Sequence, residues 1–464
     1  MVSVSTFFVF INAALAAAIT VNTTSGPITG SSINGVTSYL GLPFAAPPIG
    51  SLRFRHPLPA TFSPHPRKSS LSKASIQFQF QTAFTPTEAR ALPLSAQSED
   101  CLYLNIWVPD TVKKGSVAAL VYIHGGGFAE GSAMSGTIVF GFPSLPQAGQ
   151  QNLGLLDQRL AIEFLHRNIH LFGGDPKKLT LFGHSTGARS IAVYTFAYPH
   201  NPLVHGVIIE SGSARLGPPL STKPASDAAF FAIAEKLGCG NNGSDKEFLE
   251  CMQRLNAAEI RKAVWGTVLN SWTAFTGGAP GVDNKTAFDA EEYKRRGSSG
   301  QFAQIPTLIG TANYEADTLV PFHENGINYT LSDLVTKDFT CRAAIEAGYR
   351  ARNGVPVWRY RYMPRLPAVT AYEWMRGAYH FSEVPPLWGN IERLGIKTPE
   401  KWELEMGDYL QKVWGAFAKD PREDWRSWGG RDISRKAARW ARLGREIFRG
   451  SDFLSRESMM TGAI

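Results

Sequence analysis

The clearest chemical signal in the sequence is a serine flanked by glycines. Gly183-His184-Ser185-Thr186-Gly187 has the form G-x-S-x-G and lies between an apolar stretch and the start of a helix. This context predicts a nucleophile elbow, a tight turn from strand to helix that exposes the serine hydroxyl. The glycines remove side chains that would collide with the strand and the helix. We therefore predict that Ser185 is a nucleophile.

A second signal is a run of three glycines. His124 and the glycines after it follow the apolar run Ala118 to Ile123, which we predict to be a buried strand. Residues without side chains let backbone N–H groups approach a developing negative charge closely. Thr186 would add an N–H at the positive end of the helix that follows the elbow. We predict that Gly126, Gly127 and Thr186 form an oxyanion hole.

A serine nucleophile of this kind needs a histidine base, which comes last along the chain. Four histidines follow the elbow, and His200 and His205 follow its helix too closely. His380 lies in a loop bounded by turn residues, where an imidazole can reach the elbow. We predict His380 as the base, with His323 as its main rival.

The base in turn needs a carboxylate that fixes its tautomer and stabilises the imidazolium. That carboxylate should lie between the serine and the histidine in sequence, at the end of a sheet strand. The segment IPTLIGTANYEADT offers two carboxylates after its apolar run. We predict Glu315 as the acid, and Asp317 is the alternative.

The elements that would position these residues alternate between strands and helices. This alternation predicts an α/β fold with a mostly parallel sheet flanked by helices, formed by one domain over residues 17–464. We predict strands at 101–109, 116–124, 177–183, 204–212, 305–313 and 355–363, and helices at 154–169, 187–198 and about 402–418. Residues 38–54 are rich in proline and glycine and predict an ordered loop, whereas residues 63–98 have no clear period.

The first 16 residues predict a secretory signal peptide. An apolar run is followed by the small residues of a cleavage site, and the run is too short to span a membrane. Secretion agrees with four glycosylation sequons, at Asn22, Asn242, Asn284 and Asn328. No other stretch of the sequence is long enough to cross a bilayer.

The chain has four cysteines. Cys239 and Cys251 are close in sequence and flank a polar loop, so they are the predicted disulfide. Cys101 and Cys341 have no obvious local partner.

The composition is that of a globular protein, with 44% hydrophobic and 19% charged residues. Much of the net charge of +8 lies between Arg422 and Arg449, where nine basic residues face four acids. Residues 434–448 predict an amphipathic helix, with Trp440, Leu443 and Ile447 on one face. A solvated surface helix is the simplest interpretation, and attraction to a membrane or a polyanion is the alternative. No pattern of basic and aromatic residues elsewhere predicts a nucleic-acid partner.

Taken together, the motifs resemble those of the type-B carboxylesterase/lipase family of α/β-hydrolases, which includes the cholinesterases, and in particular its secreted fungal esterases. The matching stretches are collinear between about residues 20 and 425. They are LGLPFAAPPIGSLRFRHP, SEDCLYLNIWVP, NLGLLDQ, NIHLFGGDPKKLTLFG, GVIIESGSA, GTANYEA, GAYHFSE and VWGAFAKDP.

The resemblance implies an α/β-hydrolase fold and hydrolysis of a small-molecule or lipid carboxylic ester, with no metal or organic cofactor. It implies Ser185, Glu315 and His380 as the catalytic triad, with the oxyanion donors named above. It also implies that Ser211, in ESGS, is a partner near the acid. Neither the substrate's acyl length nor an oligomeric state follows from it.

The chain departs from the family in three ways. The elbow contains HSTG where the family has Glu-Ser-Ala-Gly, which is tolerable because the donor is a backbone N–H. Cys101 lacks its usual partner, since residues 63–98 contain no cysteine. After the three glycines, a central strand is mostly absent, and EGSAMSG leads directly into TIVFGFPSLP.

A missing central strand would remove ladder hydrogen bonds from the middle of a sheet. TIVF could be a remnant that still pairs, the sheet could re-register, or the coding sequence could be joined incorrectly. We favour the last, because the flanking motifs are intact and end abruptly.

Three functional hypotheses follow. The first is a secreted serine hydrolase of carboxylic esters that works through an acyl-enzyme. The second is a catalytically impaired or non-catalytic binding protein on the same fold. The third is a serine peptidase, because the triad alone does not set the substrate.

Overall fold

The computed structural model describes residues 19–76, 96–113, 115–128, 138–144, 151–216, 220–240, 244–268, 280–323, 325–423 and 448–449. Its strands are β1 (Thr20–Thr23), β2 (Gly26–Thr29), β3 (Ser31–Ile33), β4 (Val36–Pro43), β5 (Arg67–Lys68), β6 (Tyr103–Pro109), β7 (Val117–Ile123), β8 (Gly174–His184), β9 (Gly206–Glu210), β10 (Thr307–Ala312), β11 (Phe322–His323), β12 (Gly326–Ile327), β13 (Val357–Tyr362) and β14 (Phe448–Arg449). Its helices are α1 (Ile138–Gly141), α2 (Leu153–Asn168), α3 (Thr186–Ala197), α4 (Lys223–Lys236), α5 (Asp245–Arg254), α6 (Ala257–Val268), α7 (Ala290–Ser298), α8 (Tyr329–Arg352), α9 (Val384–Leu387) and α10 (Lys401–Lys419).

The largest sheet has the order β14-β13-β10-β9-β8-β7. Its pairs from β7 to β13 are parallel, and only β14 runs antiparallel to its neighbour. A parallel sheet requires crossover connections, which α2, α3 and α8 help to provide. The predicted α/β fold with a mostly parallel sheet is confirmed, and the nine predicted strands and helices that surround the site are present with slightly shifted ends.

Helices cover both faces of this sheet. Val207 and Ile209 on β9 belong to the same buried cluster as Ile191 of α3. Ile208, between them, belongs to the cluster on the opposite face with Phe417 of α10. Because strand side chains alternate between faces, a strand that is buried on both sides is mostly apolar, as β9 is up to its last residue, Glu210.

The strand β7 is less buried than predicted. Val121 and Ile123 are buried, but Leu120 is 40% exposed. Within the described residues β7 pairs only with β8, so it forms the edge of the sheet. The prediction that residues 118–123 form a fully buried strand was wrong in its first half, because no second neighbour covers that edge.

The segment TIVF is not a remnant strand. Residues Ile138–Gly141 form the short helix α1, and the described residues between β7 and β8 contain no strand. The strand β6, which precedes β7 in the chain, does not join the large sheet. It pairs with β4 in a separate three-stranded antiparallel sheet. The central strand that the family resemblance leads one to expect is therefore absent from the described part of the chain.

Other predictions have mixed outcomes. The segment 38–54 begins inside β4 and becomes a loop only after Pro43. The signal peptide, Asn242 and nearly all of the predicted helix 434–448 lie outside the described residues. No described helix is both long and apolar enough to span a membrane.

The predicted disulfide is confirmed. Cys239 follows α4, and its bond to Cys251 of α5 joins the two helices with a Cα–Cα distance of 5.7 Å. Cys101 and Cys341 are free thiols.

Candidate active site

The elbow is a sharp turn between β8 and α3. Ser185 has φ 58° and ψ −124°, in a region that non-glycine residues rarely occupy. Its N–H donates to the Glu210 carbonyl at 2.9 Å, and its own carbonyl accepts from the Arg189 N–H at 2.9 Å. The neighbouring strand and the first turn of the helix therefore hold this strained conformation in place.

The two glycines of the elbow are required by contact with the end of β7. A Cβ on Gly187 would lie 2.0 Å from the Ile123 carbonyl oxygen, and one on Gly183 would lie 2.6 Å from the same atom. Both distances are far below van der Waals contact. Glycine at these positions lets the elbow sit directly against β7.

The three-glycine loop lies beside the elbow. A Cβ on Gly125 would come within 3.0 Å of the Ser185 Cβ, and the Phe128 N–H donates to Thr186 Oγ1 at 3.3 Å. Gly126 and Gly127 have φ of 106° and 64°, which glycine adopts without strain.

Three N–H groups at this place remain without an acceptor among the described residues, those of Gly126, Gly127 and Thr186. Unused donors beside a serine hydroxyl are what an oxyanion requires. The structure thus brings the three predicted donors to the elbow.

His380 and Glu315 form a direct pair. Glu315 lies in a 3-10 turn three residues after β10, and its Oε1 accepts from the Ala312 N–H at 2.7 Å. Its Oε2 lies 2.7 Å from Nδ1 of His380, and the His380 N–H donates to the Glu315 carbonyl at 3.2 Å. Because a carboxylate oxygen faces Nδ1, the proton sits on Nδ1 and Nε2 is left as the basic nitrogen.

His380 reaches the elbow through the residue next to the serine. Its ring lies 4.3 Å from the ring of His184, centre to centre, and Phe339 packs edge-on against it at 5.3 Å. In this structure Ser185 Oγ makes no hydrogen bond to His380. Hydrogen bonds of this type are often long or unformed without substrate.

The structure separates the rival residues from the elbow. His323 is exposed on the hairpin of β11 and β12, and the ring of His205 is hydrogen-bonded to backbone carbonyls. Asp317 is fully buried but binds Arg376 at 2.6 Å and Ser332 at 2.8 Å. Of the predicted candidates, only Glu315 and His380 are paired with each other.

Ser211 contacts a different carboxyl from the one expected. Its Oγ donates to Glu383 Oε1 at 3.2 Å, not to Glu315. Sequence reasoning did not single out Glu383, although it lies only three residues after His380. Nor did it single out Glu210, which is the last residue of the strand β9 and accepts from the indole N–H of Trp414.

Three buried groups beside the Glu315–His380 pair have shifted pKa values. Burial, together with the nearby carboxyls Glu315 and Glu210, raises the pKa of Glu383 well above its usual value. Burial raises the pKa of Glu210 to about 8. Burial and the neighbouring His380 lower the pKa of His184 well below its usual value. These shifts favour the protonated forms of Glu383 and Glu210 and the neutral form of His184, all of which lie around the Glu315–His380 pair.

The described residues contain no group of three or more His, Cys, Asp or Glu side chains that could hold a metal ion. The arrangement that they do contain is a strained serine, free N–H donors and a histidine oriented by a carboxylate. This arrangement is suited to acyl transfer.

Comparisons with known proteins agree with this chemistry. The sequence profile of the carboxylesterase family matches residues 17–138 and 137–337, in two parts that meet where the central strand is absent. Chlorogenic acid esterase from Aspergillus niger is 32% identical over 434 residues, which cover 86% of this chain and 82% of that protein. Secreted lipase 5 from Gibberella zeae is 29% identical, with 87% of this chain and 86% of the lipase covered.

A bacterial relative gives the same result. Para-nitrobenzyl esterase from Bacillus subtilis is 29% identical over 470 residues, which cover 86% of this chain and 89% of that enzyme. The profile spans more than half of the 464 residues, and the match to the esterase from Aspergillus niger covers more than four fifths of each chain. The chain belongs to the carboxylesterase family and is a carboxylic ester hydrolase.

Proposed function

We propose that this protein is a secreted esterase that cleaves small-molecule or lipid carboxylic esters through a Ser185–His380–Glu315 triad. The observation that supports the triad most strongly is the 2.7 Å contact between Glu315 Oε2 and His380 Nδ1. It orients the imidazole with Nε2 free to accept a proton.

In the proposed mechanism His380 Nε2 removes the proton of Ser185 as its Oγ attacks the ester carbonyl. The oxyanion accepts hydrogen bonds from the N–H groups of Gly126, Gly127 and Thr186. His380 then donates its proton to the leaving alcohol, and the acyl group remains on the serine. Water, deprotonated by His380, attacks the acyl-enzyme and releases the acid.

The direct test is Ser185→Ala, assayed on p-nitrophenyl esters. We expect kcat/KM to fall by more than about 10³-fold while the thermal midpoint stays unchanged. Ser190→Ala is a matched control. Ser190 is buried in α3, the helix that begins directly after Ser185, and its hydroxyl contacts Gln158 at 3.4 Å. Near wild-type turnover by Ser185→Ala would refute the assignment.

A second candidate is a catalytically impaired member that binds rather than cleaves. The observation in its favour is the open edge of β7, which directly precedes the three-glycine loop. A fluorophosphonate probe separates the two functions, because it labels only an activated serine. We expect stoichiometric labelling at Ser185. A folded protein that remains unlabelled would favour the binding function.

Secretion is supported by several features outside the site. The disulfide of residues 239 and 251 suits an oxidising compartment. The sequon residues Asn22, Asn284 and Asn328 are exposed, so their side chains are accessible to a glycosyltransferase. Expression in a eukaryotic secretory host should give a glycosylated protein in the medium with its N-terminus at residue 17. A product that stays in the cell with residues 1–16 attached would contradict this.

A further inference from the structure

One buried acid of α2 has no role in the proposed reaction. Asp157 is only 8% exposed, and its carboxyl makes no hydrogen bond or ion pair with any residue in the described part of the chain. Burial alone raises its pKa to about 7. A buried carboxyl without a partner is costly, and native structures usually provide one.

The Asp157 carboxyl lines a cavity that opens to the surface. Its walls are mostly apolar and come from the loop after β4, the start of β6 and the helices α1 and α2. The wall residues used below are Ala46, Leu52, Leu102, Phe140 and Leu153. A concave, mostly apolar site with a few polar groups is the usual form of a small-molecule pocket.

The neighbouring cation, Arg53, binds groups other than Asp157. Its Nε and Nη2 bind both oxygens of Glu99 at 2.5 and 2.6 Å. Its Nη1 donates to the carbonyls of Met252, Gln253 and Leu255. The guanidinium thus binds Glu99 and three backbone carbonyls, and it forms no ion pair with Asp157.

No other described group neutralises the Asp157 carboxylate. The Cys101 thiol also lines the cavity, and its pKa is raised by burial and by Asp157, so it stays uncharged. Arg55 and His56 lie at the exposed rim and form no ion pair with Asp157. The interior of the cavity therefore carries one unbalanced negative charge when Asp157 is ionised.

We propose that this cavity binds a small organic ammonium ion, with the ammonium on the Asp157 carboxylate and the apolar body against Leu102, Phe140 and Leu153. The unbalanced carboxylate supplies the charge complementarity, and the low dielectric of a buried site strengthens the ion pair. The apolar walls would also bury the apolar surface of an organic ion, which adds to its binding free energy. A bare inorganic cation has no such surface. A divalent metal would need several more oxygen ligands than Asp157 offers.

The test uses benzylammonium and its neutral analogue benzyl alcohol on the full chain at pH 8. Benzylammonium should raise the thermal midpoint of the wild type in a saturable manner, since a ligand that binds only the folded state stabilises it. Benzyl alcohol should have at least a tenfold weaker effect. Asp157→Asn should lose the benzylammonium response and keep ester turnover. Equal responses in wild type and Asp157→Asn, or no response up to 10 mM, would overturn the proposal.

Asp157→Asn without ligand gives a second readout. The variant should be as stable as the wild type or more stable, because it removes an unpaired buried acid. A large loss of stability would mean that a cation of this chain already occupies the site, and the proposal would fail. Ala46→Phe is an independent variant, because it fills the cavity without changing its charge, and it should abolish the response to benzylammonium.

Discussion

The imidazole rings of His184 and His380 lie 4.3 Å apart, so the residue before the nucleophile packs directly on the proposed base. His184 belongs to the elbow and His380 to the loop after β13, and the ring pair joins these two segments. Two imidazolium ions at this distance would repel each other strongly. Burial and His380 lower the pKa of His184, which favours a neutral imidazole at this position.

The carboxyls around this pair have different partners. Glu315 accepts from two N–H groups, those of Ala312 and His380. Burial raises the pKa of Glu383 and of Glu210, and each has one oxygen without a partner among the described residues. Because their environments differ, the same residue type has different roles within one site.

We expect Glu315→Gln to lower kcat/KM by about 10³- to 10⁴-fold. The amide cannot stabilise the imidazolium and permits the wrong tautomer of His380, as in serine hydrolases generally. The measurement is steady-state hydrolysis of a p-nitrophenyl ester, with the protein's thermal midpoint recorded in parallel.

Glu383→Gln is the matched control for that experiment. Burial and the nearby carboxyls raise the pKa of the Glu383 carboxyl, which favours its protonated form, and the amide keeps an oxygen for the Ser211 hydroxyl. Activity should remain within about tenfold of wild type. Equal losses in the two variants would show that the carboxylates do not have the separate roles assigned here.

Asp317→Asn should affect stability and not catalysis. Arg376 and Ser332 bind this fully buried carboxylate, so the substitution leaves part of the guanidinium without its partner. We expect a loss of about 2–4 kcal/mol in the free energy of unfolding, as for other broken buried pairs. Urea denaturation measures it, and kcat per folded molecule should be unchanged.

The exposed pair of Lys246 and Glu250, 3.9 Å apart, provides the contrast. Glu250→Gln should leave the urea midpoint where it is, because exposed pairs contribute little. If Asp317→Asn instead abolished turnover at full stability, Asp317 would replace Glu315 as the acid.

The sequence predicted the elbow well because its constraints are local. The glycines at 183 and 187, the apolar strand before them and the helix after them are all contiguous, and each requires the others. Order along the chain and position after a strand also pointed to Glu315 and His380, which the structure places in contact with each other. Asp317 and His323 could be set aside only when the Arg376 contact and the exposed hairpin were known.

The parts that the sequence did not predict depend on distant contacts. Glu383 meets Ser211 across a separation of 172 residues, and no periodic pattern reports such a pair. TIVF is a short apolar run, and such runs do not distinguish a strand from a helix. The exposure of Leu120 follows from the absence of a neighbour, which the residues of β7 themselves do not reveal.

Gly187→Ala should unfold or strongly destabilise the protein. The added Cβ would lie 2.0 Å from the Ile123 carbonyl oxygen and 2.6 Å from that of His124, and both atoms belong to the backbone. We expect a loss of more than about 3 kcal/mol, measured by urea denaturation.

Gly415→Ala makes the same change in the helix α10, where no atom lies within 4 Å of the added Cβ. It should stabilise the protein by up to about 1 kcal/mol, because alanine has the higher helix propensity. Similar effects of the two substitutions would contradict the close contact between the elbow and β7.

The last prediction concerns pH and Glu210, whose pKa is raised to about 8 by burial. In the unfolded chain a glutamate titrates near pH 4.3, so between these values the folded protein holds a proton that the unfolded chain has lost. The contribution of Glu210 to the free energy of unfolding is therefore greatest below about pH 4, and it falls as the pH rises towards 8. Glu210→Gln cannot ionise and should lack this fall. Between pH 5 and pH 9 the free energy of unfolding of the variant should rise, relative to that of the wild type, by on the order of 3 kcal/mol. If the free energies of the two proteins changed with pH in parallel, Glu210 would be ionised in the folded protein.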